Sequence, residues 1–502
     1  MALKDVLASK PKKVKAPSDA RVLPYTVSPD LGPPNPPLPQ VGSGTRTMHE
    51  DVYASDSSVW PGPYAKRCEI TYWQNQAAKF AGICPSFGID SQGRVLTISF
   101  SAGSTTLLRL HPHTLEPLYG LALPPRSVSA FKALFDIDRV FKSTSGGSYF
   151  VIDIHDRIVV PTIDNEIWVI AQRPDRPSRY FEVLYRLKAD IPADDKLTSC
   201  MPVMDTKNVG SPDKAAPLGY WFITEAGRVG IARPPTQAPQ IPTIQLGEPI
   251  GNSCSMSRNG LIVVSEGALY RFELGAGKIL QKFRTPYDPG VPKPGLLAPG
   301  SGTTPTLLGD DYVAIGDNSP VMNVCLFDQR TGELLDEHPV FADQPGSACE
   351  NSFVGHGRSI VAGNTFGYMN PFQIDKLVKS PGLIRLDVDP TTRRLVKKWY
   401  ARDVDLMSST PKLSLQNGLI YIYAMKWIQK PKPDGKLAER KGVWRWSLIG
   451  VDFATGNVVY DQPVFEGPQR QEHDNGWATL TLGPSGTAYL GMWRGVMRIA
   501  PV

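Results

Sequence analysis

A unit of short apolar strands recurs along this chain and restricts its possible folds more than any other feature. The clearest copy is Cys349–Asn364, which reads CENSFVGHGRSIVAGN. In it, small or polar residues precede a short apolar strand, a tight glycine turn and a second apolar strand. Equivalent positions in eight such units are Cys84, Gly146, Cys200, Cys254, Pro305, Asn351, Pro411 and Thr479. The intervals between them are 62, 54, 54, 51, 46, 60 and 68 residues.

Repeats of this length predict a β-propeller. Four-stranded units of about 40–50 residues are typical of propeller blades, and longer intervals indicate loop insertions. One small sheet cannot bury both of its faces, whereas sheets stacked around an axis cover one another. We therefore predict an all-β, eight-bladed propeller. A seven-bladed propeller is the alternative, because the third unit is interrupted by Asp205–Leu218 and could be an insertion.

The glycine and proline content agrees with this fold class. The 502 residues include 45 glycines and 47 prolines, about 18% of the chain against a usual value of about 12%. Such an excess favours short strands joined by turns. Because no window shows a sustained apolar stripe at helical spacing, we expect almost no helix.

The chain divides into an arm and a propeller. Residues 1–65 form an extended N-terminal arm that is rich in proline between Leu31 and Gly44, and residues 66–502 form the propeller. The segment Thr47–Pro63 carries aromatic and acidic residues, so we expect it to wrap the propeller surface. The last unit has three strands before the chain stops, and Lys66–Trp73 is a plausible fourth strand that would close the ring.

Charge and cysteine content limit the classes of partner. The formal net charge of +6 comes largely from Ser9–Arg21, a basic segment that we expect to be solvated. No basic stripe interleaved with aromatic residues follows, so we expect no nucleic acid partner. We find neither a secretory signal nor an apolar run that could span a bilayer, and six cysteines at irregular spacing indicate reduced thiols. We expect a soluble, cytoplasmic protein that is a monomer or a homodimer.

Several units end on a hairpin with an aspartate before a Thr-Gly turn. Examples are Leu326–Pro339 and Gly450–Pro463, and Arg385–Trp399 has the same pattern without the glycine. The aspartate can accept backbone N–H groups of the turn, and glycine supplies the positive φ. This D-x-x-T-G pattern, followed by an apolar strand, resembles the blade repeat of pyrroloquinoline-quinone-dependent alcohol dehydrogenases and related quinoproteins. The resemblance covers most of residues 82–502 at the level of the blade.

The resemblance implies a calcium site at Glu350 and Asn351, which match the Glu and Asn ligands of quinoproteins. Carboxylate and amide oxygens also suit a hard cation such as Ca²⁺ on chemical grounds. No two cysteines are adjacent, although the family has an adjacent disulfide-linked pair, and a partner aspartate cannot be assigned by motif. We therefore do not expect bound pyrroloquinoline quinone. A metal ion, calcium or a transition metal, is the cofactor that the sequence allows.

Candidate site residues follow from their position in the repeat. Residues just before the first strand of each blade gather on one face around the axis, where ligands commonly bind. His473 and Asp474 with Glu350 are the candidate catalytic groups, since a histidine beside a carboxylate can act as a general base. Candidate ligand- or cofactor-binding residues are Asn351, Asn252, Lys142 and Asp405. The alternative role for His473 is that of a loop residue that caps the strand.

Two further groups of residues stay open. His49 and Glu50 would reach the channel mouth if the arm folded over it. Four cysteines occupy near-equivalent inner positions, where they could bind a soft metal or simply fit a crowded axis as small side chains. These are Cys84, Cys200, Cys254 and Cys349.

The sequence favours an enzyme that acts on a small organic molecule in an axial pocket. The chemistry would be metal-assisted acid–base or redox catalysis, of the oxidoreductase, lyase or hydrolase type. The alternative is a non-catalytic propeller that binds a protein partner, because a fold does not determine a function. Small residues, amides and acids dominate the loops before the inner strands, and such loops suit a narrow pocket better than a protein interface.

Overall fold

Eight small antiparallel sheets follow one another along the chain. The structure, a computed structural model, describes residues 3–29, 31–35, 44–76, 78, 82–101, 103–126, 144–204, 217–234, 240–368, 380–406, 408–429, 442–468 and 471–502. Blade 1 has the strands Gly82–Ile83, Phe87–Ile89, Val95–Ser101, Ser104–Leu110 and Pro117–Leu123. Blade 2 has Val151–Ile152, Ile158–Pro161, Glu166–Gln172 and Phe181–Lys188. Blade 3 has Leu197–Met204, Pro217–Thr224, Arg228–Ala232 and Ile244–Gln245.

The remaining blades repeat this arrangement. Blade 4 has the strands Ser255–Ser257, Gly260–Val264, Ala268–Gly275 and Lys278–Pro286. Blade 5 has Thr306–Leu308, Tyr312–Gly316, Asn323–Asp328 and Leu334–Pro339. Blade 6 has Val354–His356, Ser359–Gly363, Leu383–Val388 and Leu395–Ala401. Blade 7 has Lys412–Ser414, Leu419–Gln429, Val443–Asp452 and Val458–Gly467, and blade 8 has Leu480–Gly483, Thr487–Met492, Gly495–Pro501 and Cys68–Gln74.

The predicted all-β, eight-bladed propeller is therefore confirmed, and the seven-bladed alternative is wrong. The third unit forms a complete four-stranded sheet of its own, with Cys200 opposite Phe222 on its first two strands. Most of the interrupting segment, residues 205–216, lies outside the described residues. A loop between the first two strands of a blade lengthens the repeat without removing a blade.

The N-terminal side of the chain completes the last blade, as the sequence predicts. Strand Cys68–Gln74 pairs antiparallel with Gly495–Pro501. In this register Ile70 lies opposite Ile499, and Tyr72 lies opposite Met497. Blade 8 thus joins strands from both ends of the propeller, which holds the ring closed and pairs an otherwise open sheet edge.

The aspartate–threonine turns form as predicted. Asp328 Oδ1 accepts the backbone N–H groups of Arg330 and Thr331, both at 2.9 Å, and Gly332 has a φ of 79°. Asp389 accepts the equivalent bonds in blade 6, where Arg393 takes the glycine position with a φ of 58°. The repeat therefore uses the carboxylate to hold the turn, and it tolerates a side chain at the last position.

The hydrophobic core lies between the sheets. The largest cluster of buried apolar side chains runs continuously from blade 2 to blade 5 and includes Val169, Phe222, Tyr270 and Phe327. Each sheet is thus covered on both faces by its neighbours, which explains why second strands such as Gly260–Val264 and Ser359–Gly363 are buried along nearly their whole length.

Part of the arm lies inside the ring. The carbonyl groups of Val52, Tyr53, Ser55, Asp56 and Ser58 accept hydrogen bonds from backbone N–H groups at the first strands of four blades. The donors are Met256 (2.7 Å), Leu307 (2.9 Å), Gly355 (2.8 Å), Leu413 (2.9 Å) and Leu415 (2.8 Å), respectively. This segment therefore does not wrap the surface as we expected. It satisfies backbone groups on the inner strands of blades 4 to 7 that a bare channel would leave without protein partners.

The first part of the arm does pack on the outside. Lys12–Val14 pairs with the closing strand of blade 8, and Arg21–Val22 pairs with the outermost strand of blade 7. The boundary between arm and propeller at residue 65 stays a prediction. The described part of the chain has one short α-helix, Leu3–Leu7, and 3₁₀ turns at Pro177–Arg179, Gln471–His473 and Pro484–Gly486. None of the described helices has the length and apolar character needed to cross a membrane.

Candidate functional site

Residues from the arm and from seven blades line one cavity of about 90 Å³. Most of its lining residues come just before the first strand of a blade, where the repeat places polar loops. The polar and aromatic side chains among them are His49, Arg126, Thr144, Ser148, Tyr149, Asn252, Thr304, Glu350, Asn351, Ser352, Thr410 and Trp477. One water molecule needs only about 10–15 Å³ of such cavity volume, so the cavity has room for a small organic molecule.

The arm places the side chain of His49 in the wall of this cavity. Its Nδ1 lies 3.1 Å from Asp56 Oδ2, and its Nε2 lies 3.2 Å from Thr304 Oγ1 and 3.4 Å from Ser352 Oγ. The imidazole side chain is only 6% exposed. The sequence left the position of His49 open, and the arm decides it by folding into the ring.

A buried ion pair orients this histidine. Lys412 Nζ contacts Asp56 Oδ1 and also donates to the carbonyl of Met48 at 2.7 Å. The side chains of Asp56 and Lys412 are both 0% exposed. An ionised carboxylate accepts hydrogen bonds only, so Nδ1 of His49 is the donor to Asp56. In the neutral imidazole, the lone pair of Nε2 then points to the hydroxyl groups on the cavity wall.

Glu350 is a second titratable group in the cavity lining. Burial raises the pKa of its carboxyl group well above the usual range, and the N–H of Leu297, 2.9 Å from Oε2, lowers it less. Burial and the neighbouring Glu350 together raise the pKa of Tyr149. A β-carbon at Gly302 would lie 2.7 Å from Glu350 Oε2, so only glycine allows this approach. Burial therefore favours the protonated form of Glu350, which can donate a hydrogen bond.

The two candidate asparagines line the cavity and also link neighbouring blades. Asn252 Nδ2 donates to the carbonyl of Ser301 at 2.9 Å, and Asn351 Nδ2 donates to the carbonyl of Ser409 at 2.8 Å. Asn351 Oδ1 accepts the hydroxyl of Thr410 at 3.3 Å. Each amide thus connects one blade to the loop before the next, which leaves only part of its hydrogen-bonding capacity for a ligand.

The candidates His473 and Asp474 are not part of this cavity lining. His473 stacks on Phe465 with ring centroids 4.0 Å apart and meets Trp446 edge to face at 5.0 Å. Asp474 Oδ1 accepts the hydroxyl of Tyr368 at 2.6 Å and the N–H of Gly476 at 2.7 Å. Burial raises the pKa of Asp474 to about 6, and these two hydrogen bonds oppose that shift. Both residues support the loop that carries the cavity-lining Gly476.

The other two candidates also lie away from the described lining. Asp405 is buried beside blade 7, where its carbonyl accepts the N–H of Met425 at 3.1 Å. Lys142 lies outside the described residues. The structure therefore brings Glu350, Asn351 and Asn252 to one cavity, but it does not place His473, Asp474 or Asp405 there. Catalytic and ligand-binding roles for all seven candidates stay predictions.

Sequence reasoning missed Arg126 and Trp477. Arg126 follows the outer strand of blade 1 and stacks over Phe100, with its guanidinium carbon 3.7 Å from the ring centroid. Trp477 has a φ of 65°, a left-handed backbone that is rare for an aromatic residue and often marks a functional site. The sequence held one signal for it, the Asn-Gly pair before Trp477, which is typical of a tight turn.

Glu350 and Asn351 could supply only part of a calcium centre. Ca²⁺ takes 6–8 oxygen ligands, and the Asn351 amide already bonds to Ser409 and Thr410. A metal-compatible group among the described residues is Asp317, Cys325 and Glu337 in blade 5. Asp317 is already bonded to Ser319 and Asn323. None of the four inner cysteines, all described, belongs to such a group.

Comparisons with known proteins identify no family for this chain. No family model matches it. It is 24% identical over 314 residues to an uncharacterized protein of Archaeoglobus fulgidus, covering 55% of this chain. The match spans 58% of the length of that relative.

Two solved structures illustrate the similarity in fold. The crystal structure of BamB from Moraxella catarrhalis has 14% identity and a TM-score of 0.39, with 75% of this chain and 93% of that chain covered. The dihydro-heme d1 dehydrogenase NirN in complex with DHE has 10% identity and a TM-score of 0.44, with 92% and 79% covered. The similarity lies in the β-propeller fold, which has eight blades in this chain.

Proposed function

We propose that this chain is an enzyme that binds a small organic molecule in the cavity and exchanges a proton with it through His49. The observation that supports the proposal is the buried Asp56–His49 pair, whose Nε2 lies at hydroxyl groups of the cavity wall. A carboxylate behind an imidazole fixes its tautomer and stabilises the imidazolium that forms on protonation. The arm spans many residues of non-repeating chain to bring this pair to the cavity.

Glu350 would act beside His49 as a neutral acid. When Nε2 removes a proton from the substrate, the electron pair stays on the substrate as a developing negative charge. A carboxylic acid held neutral by burial can donate a hydrogen bond to that charge. The raised pKa of Glu350 supports this role, and so does its place in the lining of the same cavity as His49.

The proposal uses no metal or quinone. The blade repeat resembles that of quinoproteins in its aspartate–threonine turns. We infer no reaction from this resemblance. Metal binding at Glu350 and Asn351 stays a prediction, and elemental analysis of the purified protein tests it.

Proton exchange with solvent tests the acid–base proposal for any substrate with an acidic C–H bond, whatever its product. The protein would be incubated in D₂O with a panel of small carbonyl compounds and organic acids, and loss of α-proton signals would be followed by ¹H NMR. We expect exchange by the wild type, and a loss of about 10²–10⁴-fold in His49→Gln, the range of general acid–base catalysis. Glu350→Gln should reduce the rate as well.

The exposed His113 provides a matched control. His113→Gln removes the same kind of side chain far from the cavity and should leave the exchange rate unchanged. Equal rates in the wild type and in His49→Gln would rule out His49 as the proton carrier. A panel in which no compound binds or exchanges would favour the non-catalytic alternative.

A further inference from the structure

Two buried N–H groups in residues of the cavity lining have no acceptor within the described part of the chain. They are Nε of Arg126 and Nε1 of Trp477. Buried donors are almost always paired, and one left unpaired costs free energy comparable to a lost hydrogen bond. Unpaired buried donors occur elsewhere in the described chain, but these two belong to residues that line one cavity, where a ligand with acceptor atoms would pair them.

Arg126 is held in place as a recognition group would be. Its guanidinium stacks on Phe100 at 3.7 Å, and Nη2 donates to Ser148 Oγ at 2.5 Å and to the carbonyl of Ser145. No carboxylate of the described residues lies within 4.0 Å of it. Burial lowers its pKa to about 10, against a smaller raising effect of Glu225. The side chain therefore stays a cation at neutral pH, without a counter-ion in the described lining.

A contact with Tyr368 holds the indole ring of Trp477 in place. Its ring meets Tyr368 edge to face with centroids 4.7 Å apart, and the hydroxyl of Tyr368 is bonded to Asp474. The positive φ of Trp477 costs energy that the surrounding contacts must offset. Asp474 thus has a supporting role, because it anchors Tyr368, against which the ring of Trp477 packs.

The arginine lies within reach of a molecule that also touches His49. Ser148, which is bonded to Arg126, is followed directly by Tyr149, whose ring lies 6.4 Å from the ring of His49. All four residues line the same cavity. Arg126 is a cation of that lining, and Glu225, the carboxylate that acts on its charge, is not a lining residue.

We infer that the ligand is a small carboxylate whose carboxylate group binds Arg126 and Trp477. Nε–H of Arg126 has no described acceptor, and a charge-assisted hydrogen bond from it to a carboxylate oxygen is stronger than one to a neutral acceptor. A cavity volume of about 90 Å³ suits a short organic acid. This inference rests on the proposed function only in placing the rest of the molecule at His49. The carboxylate subsite itself needs neither His49 nor turnover.

Calorimetric titration with matched pairs of ligands tests the subsite. Acetate, propionate and glycolate would be compared with acetamide, propionamide and glycolamide, and inorganic phosphate would be titrated separately. We expect the wild type to prefer each acid over its amide by at least tenfold. Arg126→Gln should abolish that preference, Arg126→Lys should retain part of it, and Trp477→Phe should weaken acid binding several-fold.

Arg186→Gln is the matched control, since Arg186 also stacks on an aromatic ring, Trp168 at 4.2 Å, but is exposed on the outside of blade 2. It should bind the acids like the wild type. Equal affinity for acids and amides, or unchanged acid binding in a folded Arg126→Lys and Arg126→Gln pair, would overturn the inference. Phosphate bound more tightly than every acid would overturn the carboxylate assignment.

The same titration in His49→Gln separates the two proposals. Retained acid binding with lost proton exchange agrees with both. Retained binding with unchanged exchange contradicts the role of His49 but leaves the carboxylate subsite standing. Proton exchange that depends on His49 without any preference for acids contradicts the subsite alone.

Discussion

Asp56 is the residue through which the arm and the propeller share a buried charge. It lies between His49 of the same arm and Lys412 of blade 7, and all three side chains are at most 6% exposed. Taking charges out of water is costly, and such a pair persists only when each charge keeps its partners. The positive φ of 51° at Asp56 shows that the backbone accepts an unfavourable conformation to place this carboxylate.

Breaking this pair should destabilise the protein strongly. Asp56→Asn leaves Lys412 charged and buried, so we expect the free energy of unfolding to fall by about 3–5 kcal/mol. Chemical denaturation monitored by circular dichroism measures the change. The double variant Asp56→Asn/Lys412→Met should lose less than the sum of the two single variants. Additive losses would contradict a direct interaction between the two residues.

Asp474 should make stability depend on pH in the opposite sense to most carboxylates. Its pKa rises from 3.8 to about 6 in the folded state because of burial. Between pH 4 and 6 the unfolded chain has released this proton and the native state still holds it, so stability falls as pH rises. The size of the effect is about 3 kcal/mol for a shift of about two pKa units. Asp474→Asn should therefore gain stability relative to the wild type across this window.

Asp328 is a control, because its contribution to stability depends on pH in the opposite direction. Burial alone would raise its pKa, but the turn N–H groups of Thr331 and Arg330 lower it below the usual range. Its contribution to stability is lost as pH falls through the folded pKa, so Asp328→Asn should lose stability relative to the wild type as pH rises from about 3 to 5. Unfolding curves across pH for both variants should diverge. Parallel curves would show that neither carboxyl group is perturbed as described.

At the scale of elements, the outer hairpins show how one repeat adapts to different neighbours. Gly456 ends the Asp452 turn with a φ of 76°, and a β-carbon there would lie 2.8 Å from the ring of Trp399 in the preceding blade. In blade 6 the equivalent Arg393 adopts a φ of 58° and contacts Asp328 across the blade interface. The turn type is common to the blades, while the contact with the neighbouring blade decides which residue fits.

This difference predicts unequal effects of two alanine substitutions. Gly277 also has a positive φ, of 72°, but its β-carbon would meet no atom within 4 Å. We expect Gly277→Ala to cost about 1–2 kcal/mol, the backbone penalty alone. Gly456→Ala should cost a further 1–3 kcal/mol or so for crowding against Trp399. Thermal unfolding measures both, and equal shifts in Tm would contradict the close packing of this turn on Trp399.

At the scale of the whole molecule, the N-terminal part of the chain serves the ring in two ways. Strand Cys68–Gln74 closes blade 8, and residues 44–60 bond to inner strands from within. The first contribution is the familiar closure of a propeller edge. The second converts part of the channel into a cavity with His49 in its wall.

Two truncations separate these contributions. A chain that starts at residue 44 keeps the inner segment and the closing strand, and one that starts at residue 61 keeps only the closing strand. We expect the chain that starts at residue 61 to have a much lower Tm and to lose acid binding, because the arm segment that bonds to blades 4 to 7 and forms one wall of the cavity is gone. The chain that starts at residue 44 should lose some stability, because it lacks the buried Val6, but it should retain acid binding. Equal binding by both would contradict a role of the arm in the site.

The repeat pattern was sufficient to predict the eight blades, the closing strand and the aspartate turns. Each of these depends on local order in the chain: apolar alternation, turn chemistry and spacing. The same logic selected Glu350, Asn351 and Asn252, which line one cavity, but it also selected His473, Asp474 and Asp405, which do not. It failed to find Arg126 because that residue follows the last strand of blade 1 and belongs to no repeated position.

What only the tertiary structure decided is which histidine reaches the cavity. His473 has acids and amides beside it in sequence, yet its ring stacks on Phe465 and Trp446 from two strands of the preceding blade. His49 lies in a non-repeating arm, and it reaches the cavity wall through hydrogen bonds with blades more than 200 residues away. Local pattern determines strands and turns because their forces act between near neighbours. The environment of one imidazole depends on contacts that exist only after the ring has closed.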